Sequence, residues 1–303
     1  MHPRLAPLFT VLFLGLSLPA QGPPAAPGGA APRAPESAED SCRTLLAAIQ
    51  QGDATALWDF LPAGYQQDVN GIVHLLATKV DPKVYDSGMQ LFGRVVTLLQ
   101  NKKPLFFGSK LGQMALQGKD AATVQKAYDE FTALLATLTT SDLAHHGKLA
   151  RFDGREFLQT TGGDLLHHLV AMAGVDGKDP FAALASMEVK TVQQTADKAT
   201  LRFTAKGKPA STEQYVAVED RWLPAKMVAQ WQKGMAEAKK DLAKLADGGD
   251  KQGSAQARMM LGMAESVVQQ LEDADTQEQF DEVLQGLMAM RQRSSQGTAQ
   301  KGR

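Results

Sequence analysis

An α+β fold, predominantly helical, is predicted for this chain by two observations. Apolar residues recur at three- and four-residue intervals through most of it, the spacing of one helical face. Between residues 187 and 224 the period switches to strict alternation, the spacing of a half-buried strand. The expected architecture is a three-stranded antiparallel meander covered by helices, with a C-terminal helical hairpin. Along the chain this divides into a signal peptide (1–20), a Pro/Ala/Gly linker (21–36), a helical plus antiparallel-sheet domain (37–247), the hairpin (248–293) and a disordered tail (294–303).

Met1 to Arg4 form a short positive segment, and Leu5 to Leu18 a nearly unbroken apolar run. That run is too short for a hydrocarbon core, which takes roughly 20 residues, and matches a signal-peptide core. Cleavage is placed after Ala20; cleavage after Gly22 offers better small-residue spacing but leaves Pro23 beside the scissile bond. Cys42 follows Glu39-Asp40-Ser41, beyond the linker, so it is not the cysteine of a lipoprotein signal. The chain is therefore expected to be exported, to periplasm or medium, with no integral membrane segment after cleavage.

Gln21 to Pro35 is almost entirely Pro, Ala and Gly and builds no core. Ser37 with Asp40 reads as a helix-capping pattern before Leu45, Leu46 and Ile49, and Gly52 ends that helix. Asp53 caps a short helix that Pro62 stops. Val69, Ile72, Val73 and Leu76 mark the next helical face. Asp81-Pro82 starts another helix, with Tyr85, Phe92, Val95 and Leu99 as its stripe, and Lys102-Lys103-Pro104 breaks it. Asp120 caps a longer helix with the stripe Val124, Tyr128, Phe131, Leu135 and Leu138. A less regular helical pair runs to Gly174.

Met187 to Lys190, Leu201 to Ala205 and Tyr215 to Val218 are the three strands, and Glu219-Asp220 bends the chain into Trp222-Leu223-Pro224. A sheet this small needs helices packed on it. The last helices carry Met227, Val228, Trp231, Met235, Leu242 and Leu245, then, after Gly248-Gly249, Met260, Met263, Val267 and Leu271. Asp275 with Glu278 is the expected cap before Phe280, Leu284, Leu287 and Met290.

Composition narrows the function. A formal net charge of −1 lacks the footprint of a nucleic-acid binder. A single cysteine permits no internal disulfide, so Cys42 is either buried or bridged to another chain, burial being the preferred reading. There is no Gly-x-Ser-x-Gly, and Gly162-Gly163 and Gly248-Gly249 lack the preceding strand and lysine of a phosphate loop. Asp153, just before Gly154, reads as a helix cap rather than a general base.

Two constellations remain. His145-His146 and His167-His168 are adjacent pairs that suggest a metal, with Asp142 or Asp164 as a third ligand. Neighbours on a helix point about 100° apart, so each pair is expected to offer one inward ligand. With no HExxH spacing, neither metal nor other cofactor is assigned. Trp58, Tyr65 and Trp222, together with Asp68, are the pocket candidates: the aromatics either line a cavity between the first helices and the sheet or anchor helices onto it. The methionines at 259–263 and 288–290 read either as hairpin core, the preferred reading, or as an adaptable partner surface.

Gly52-Asp53-Ala54-Thr55-Ala56-Leu57-Trp58-Asp59-Phe60-Leu61-Pro62 resembles the early helices of ketosteroid-isomerase-like proteins, the cone-shaped α+β superfamily. The segment Val216 to Pro224 resembles their late strands. The resemblance covers these two patches only and implies a cone-like pocket. More than a hundred mostly helical residues separate the two patches, and no residue matches the family's catalytic acid. The function expected is a non-enzymatic binding or interaction module for a protein or a small hydrophobic ligand. The alternative is a pocket enzyme acting on a small hydrophobic substrate through a buried Asp or His.

Overall fold

Ser37 fixes the first helix, α1 (Ala38–Gln50): its hydroxyl accepts the Asp40 N–H at 3.1 Å, the predicted capping contact. The computed structural model describes residues 37–174, 186–205, 207, 209–245 and 251–300, without side chains for 251–252 and 290–300. The predicted signal peptide, the whole linker and Gly248-Gly249 lie outside the described residues.

Local sequence sets most helix starts. Asp53 accepts from Thr55 N–H before α2 (Thr55–Asp59). After α3 (Ala63–Lys79), Asp81 accepts from Val84 N–H and places Pro82 in the first turn of α4 (Pro82–Asn101). The short α5 (Lys103–Gly108) and α6 (Lys110–Leu116) follow. Asp120 accepts from Thr123 N–H to begin α7 (Ala121–Thr140). Asp153 does the same with Glu156 between α8 (His146–Leu149) and α9 (Gly154–Phe157). A π-helical turn, Leu158–Gly162, leads into α10 (Gly163–Ala173).

Two predicted stripes hold only in part: Leu135 and Leu138 of α7 and Tyr85 of α4 pack against the main core as expected. On α7, Phe131 is exposed while Thr132 and Leu134 are buried; on α4 the buried residues are Leu91, Val96 and Leu98. Both helices have neighbours on more than one side: α7 lies against α4 and α10, and α4 also meets a later helix. A helix held between partners buries its flanks rather than a single stripe.

Among the described residues the sheet has four strands, not three. β1 (Glu188–Gln194), β2 (Lys198–Thr204), β3 (Ser211–Val218) and β4 (Arg221–Pro224) are antiparallel in the order β1-β2-β3-β4. The bend at Glu219-Asp220 is a two-residue hairpin turn, because Val218 pairs with Arg221 and Val216 with Leu223. Glu219 takes the left-handed conformation there, φ 54°, which costs a non-glycine residue about 1–2 kcal/mol. Its carboxylate is anchored by the Gly64 N–H at 3.1 Å, so the turn caps the first turn of α3, where Pro62 has no side-chain acceptor. A Cβ on Gly64 would lie 2.6 Å from Glu219 Oε1, so a larger residue there would push the carboxylate off this contact.

Alternation along the strands divides two cores. Val189, Ala199, Leu201, Tyr215 and Trp222 face α1 through Ala38 and Cys42. Leu223, next to Trp222, faces the opposite way into a larger cluster with Trp58, Tyr65, Ile72, Leu149, Phe157 and Trp231 of α11 (Ala225–Ala243). α1 is also bound to edge strand β1: Glu39 accepts the Thr191 N–H at 2.6 Å, and Arg43 donates to the Val189 carbonyl at 3.0 Å. These contacts hold the Glu39 carboxyl below its ordinary range.

The C-terminal helices α12 (Lys251–Asp273) and α13 (Gln277–Gln300) do turn back on each other, but not as a self-contained hairpin. α12 packs along α4, where Arg94 pairs with Glu272, and Leu271, Ala274 and Phe280 share a small core with Leu98. The cap between them is Thr276 with Gln279, one position later than the predicted Asp275 with Glu278. The Gln279 backbone N–H donates to the Thr276 hydroxyl, and the Gln279 side-chain Oε1 accepts from the Asp275 and Thr276 N–H groups. α13 continues to Gln300 through most of the tail predicted to be disordered. Among the described residues, no helix is long and apolar enough to cross a membrane.

Candidate functional site

The four pocket candidates do not enclose a common cavity. Tyr65 stacks on Trp231, ring centroids 4.4 Å apart and planes 8° from parallel. Trp58 presses against α9 so closely that a Cβ on Gly154 would lie 2.1 Å from its ring. Trp222 belongs to the other core, across the sheet from both. The aromatics therefore act as anchors of helix on helix and helix on sheet, the second of the two readings the sequence allows. Asp68 is already engaged: its Oδ2 accepts from the Trp231 indole at 3.3 Å, and its Oδ1 from Lys239 Nζ at 2.8 Å. It holds α11 to α3. Burial pushes the Tyr65 phenol up to about 12.

Among the described residues, clefts at the surface include these two. One, of about 310 Å³, runs beside the π-helical turn and is lined by Gly52, Asp53, Thr55, Arg155 and Gln159. Its charged groups are paired: Asp53 caps α2, and Arg155 makes a forked ion pair with Asp59 at 2.9 and 3.1 Å. The second, of about 390 Å³, lies between α6 and α13, lined by Lys110, Leu111, Leu284 and Met288.

The histidines separate. His146 Nε2 donates to the Ala77 and Val80 carbonyls at 3.0 and 3.1 Å and packs edge-on against Tyr85, so it ties α8 to the end of α3. Its neighbour His145 is the residue before α8 and is outside any metal-ligating group among the described residues. His167 and His168 behave differently from the expectation of one inward ligand per pair. Their rings meet edge to face at 5.4 Å, and one donor atom of each lies within 4.8 Å of the other and of the Glu130 carboxylate. Long side chains close the angular gap that adjacent Cα positions open. The third group is Glu130, not Asp142 or Asp164; Asp142 pairs instead with Lys148. Nothing in the sequence couples Glu130 to His168, 38 positions away; the packing of α7 on α10 does.

Cys42 is buried, its sulfur 3.7 Å from the Tyr215 hydroxyl. Burial pushes the thiol up and the Tyr215 phenol up more strongly.

The methionines reverse the core expectation. Met259, Met260 and Met263 are 61, 46 and 57% exposed, on the face of α12 opposite Ser254, Leu261 and Val268. Met288 is half-buried at the α6–α13 cleft, and the Met290 side chain lies outside the described residues.

No family model, curated protein or solved structure matches this chain. The segments 52–62 and 216–224 touch: Arg221 donates to the Asp59 carbonyl at 3.0 Å, and Leu223 shares a core with Trp58.

Proposed function

We propose that the protein is an exported, non-enzymatic interaction module whose contact surface is the methionine face of α12. The observation that carries this is Met259, Met260 and Met263 standing together in solvent on one helix face. Flexible, polarizable methionines adapt to varied apolar partners, and a stable chain gains little by exposing them otherwise. The aromatics that would have lined a substrate pocket are packed into cores, and Asp68 is held by Trp231 and Lys239, so neither supports the enzyme alternative. Export rests on the charge and apolar pattern of residues 1–20. Contact between the two resembling patches is compatible with a shared ancestry with the cone-shaped superfamily.

Site-specific photo-crosslinking tests the surface. A photoreactive residue at Met263 is expected to trap a discrete adduct in the native compartment that the same residue at Lys119, also exposed, does not. Identical patterns from both positions would refute the proposal. Export is tested by N-terminal sequencing of the mature chain, expected to begin at Gln21 or Pro23.

A further inference from the structure

We propose that Glu130, His167 and His168 form a binding site for a divalent transition metal of the zinc class, on the α7–α10 face. It is independent of the α12 surface. The donor atoms of all three lie within 4.8 Å of one another, and two of the residues are part-buried while His167 is exposed. An ion bonded to each at about 2.1 Å sets neighbouring donors about 3.4 Å apart, so closure needs a shift of about 1.4 Å at most. The exposed His167 side chain supplies that shift by a small rotation. His168 already faces Glu130, its Nδ1–H donating to Oε2 at 2.9 Å. The ion takes the place of that proton, which is released to solvent as the two donors part to about 3.4 Å. The helix under His168 is fixed by buried Leu165 against α7.

The donor set selects the ion. Two imidazoles with one carboxylate suit Zn²⁺, Co²⁺, Ni²⁺ or Cu²⁺; Mg²⁺ and Ca²⁺ take all-oxygen shells, and Cu⁺ prefers sulfur. Three protein ligands with one on the surface leave a coordination position open to water or to a donor from outside, unlike a closed structural site. The helices already meet through apolar packing and the Glu130–His168 contact, so the ion adds to a formed site rather than building the fold.

The test titrates the untagged full chain with Zn²⁺ against a chromophoric chelator, then repeats it with Co²⁺ to read the d–d absorption of the bound ion. About one ion per chain is expected. His167→Ala, His168→Ala and Glu130→Gln should each weaken binding about tenfold or more. His145→Ala should leave it unchanged, and circular dichroism should show all four variants folded. His167→Ala carries the test if His168→Ala unfolds, because His167 is exposed. Absence of stoichiometric binding overturns the proposal, as does binding that survives the His167→Ala/His168→Ala double variant. Retention of full affinity by Glu130→Gln would remove the carboxylate from the site and overturn the three-ligand assignment.

Discussion

α11 and α12 carry the same kind of sequence signal and end in opposite environments. On α11, Trp231, Met235, Ala238 and Leu242 are buried against α3 and the sheet. On α12, Met260 and Met263 of the predicted stripe face solvent, and the buried line runs through Ser254, Val268 and Leu271. Periodicity reveals that a helix has an apolar face. Whether that face is covered depends on which neighbour arrives, and a rigid aromatic that fills a socket differs from a flexible methionine that does not need one.

The largest expected effect breaks the α11 side of this comparison. Trp231→Ala removes the stacking partner of Tyr65 and the donor to Asp68, and should cost about 3–5 kcal/mol in urea denaturation. Met263→Ala should fall within about 0.5 kcal/mol of the parent, as exposed substitutions do. Next come the glycines. Gly154→Ala should destabilise by about 1–3 kcal/mol, because its Cβ enters the Trp58 ring. Gly262→Ala on α12 meets nothing within 4 Å, and should stabilise by about 0.5–1 kcal/mol through helix propensity.

Glu219 offers a finer test of the core around α3. Glu219→Ala loses the cap on Gly64 and keeps the left-handed strain, so it should destabilise by about 1 kcal/mol. Glu219→Gly relieves the strain while losing the same cap, and its loss of stability should be smaller. The smallest effects are pH-dependent. The native state holds the Cys42 and Tyr215 protons above the pH at which the unfolded chain releases them. Their contribution is therefore full below the ordinary thiol value, about 8.5, and is lost as pH rises beyond it. Burial likewise raises the Glu213 carboxyl, so its contribution is full in acid and falls as pH climbs through the carboxylate range. Glu213→Gln should flatten that slope in a stability-versus-pH series.

Much of the helical part was legible because caps are local. Ser37, Asp53, Asp81, Asp120 and Asp153 each accept from an N–H two or three residues on, and such contacts need no tertiary knowledge. β4 was missed because a four-residue strand shows too little alternation, and because its turn carries glutamate where glycine or asparagine would signal a hairpin. Thr276 was passed over since the acid pair Asp275 and Glu278 fits the same spacing. The site residues were harder. Glu130 meets His168, Lys239 meets Asp68, and Glu219 meets Gly64 across long sequence separations that only packing closes. The aromatics were recognised as a group, but their division between two cores follows from which face of β4 each neighbour takes.

Oxidative footprinting of the methionines tests the central contrast most directly. Under brief peroxide treatment of the free protein, Met259, Met260 and Met263 should form sulfoxide quickly while buried Met235 stays reduced. In the native compartment, the α12 methionines should become protected while Met114, 63% exposed on α6, remains reactive. Equal oxidation of Met235 and Met263 in the free protein would contradict the two environments. Unchanged reactivity of Met259, Met260 and Met263 in the native compartment would contradict their role as a contact surface.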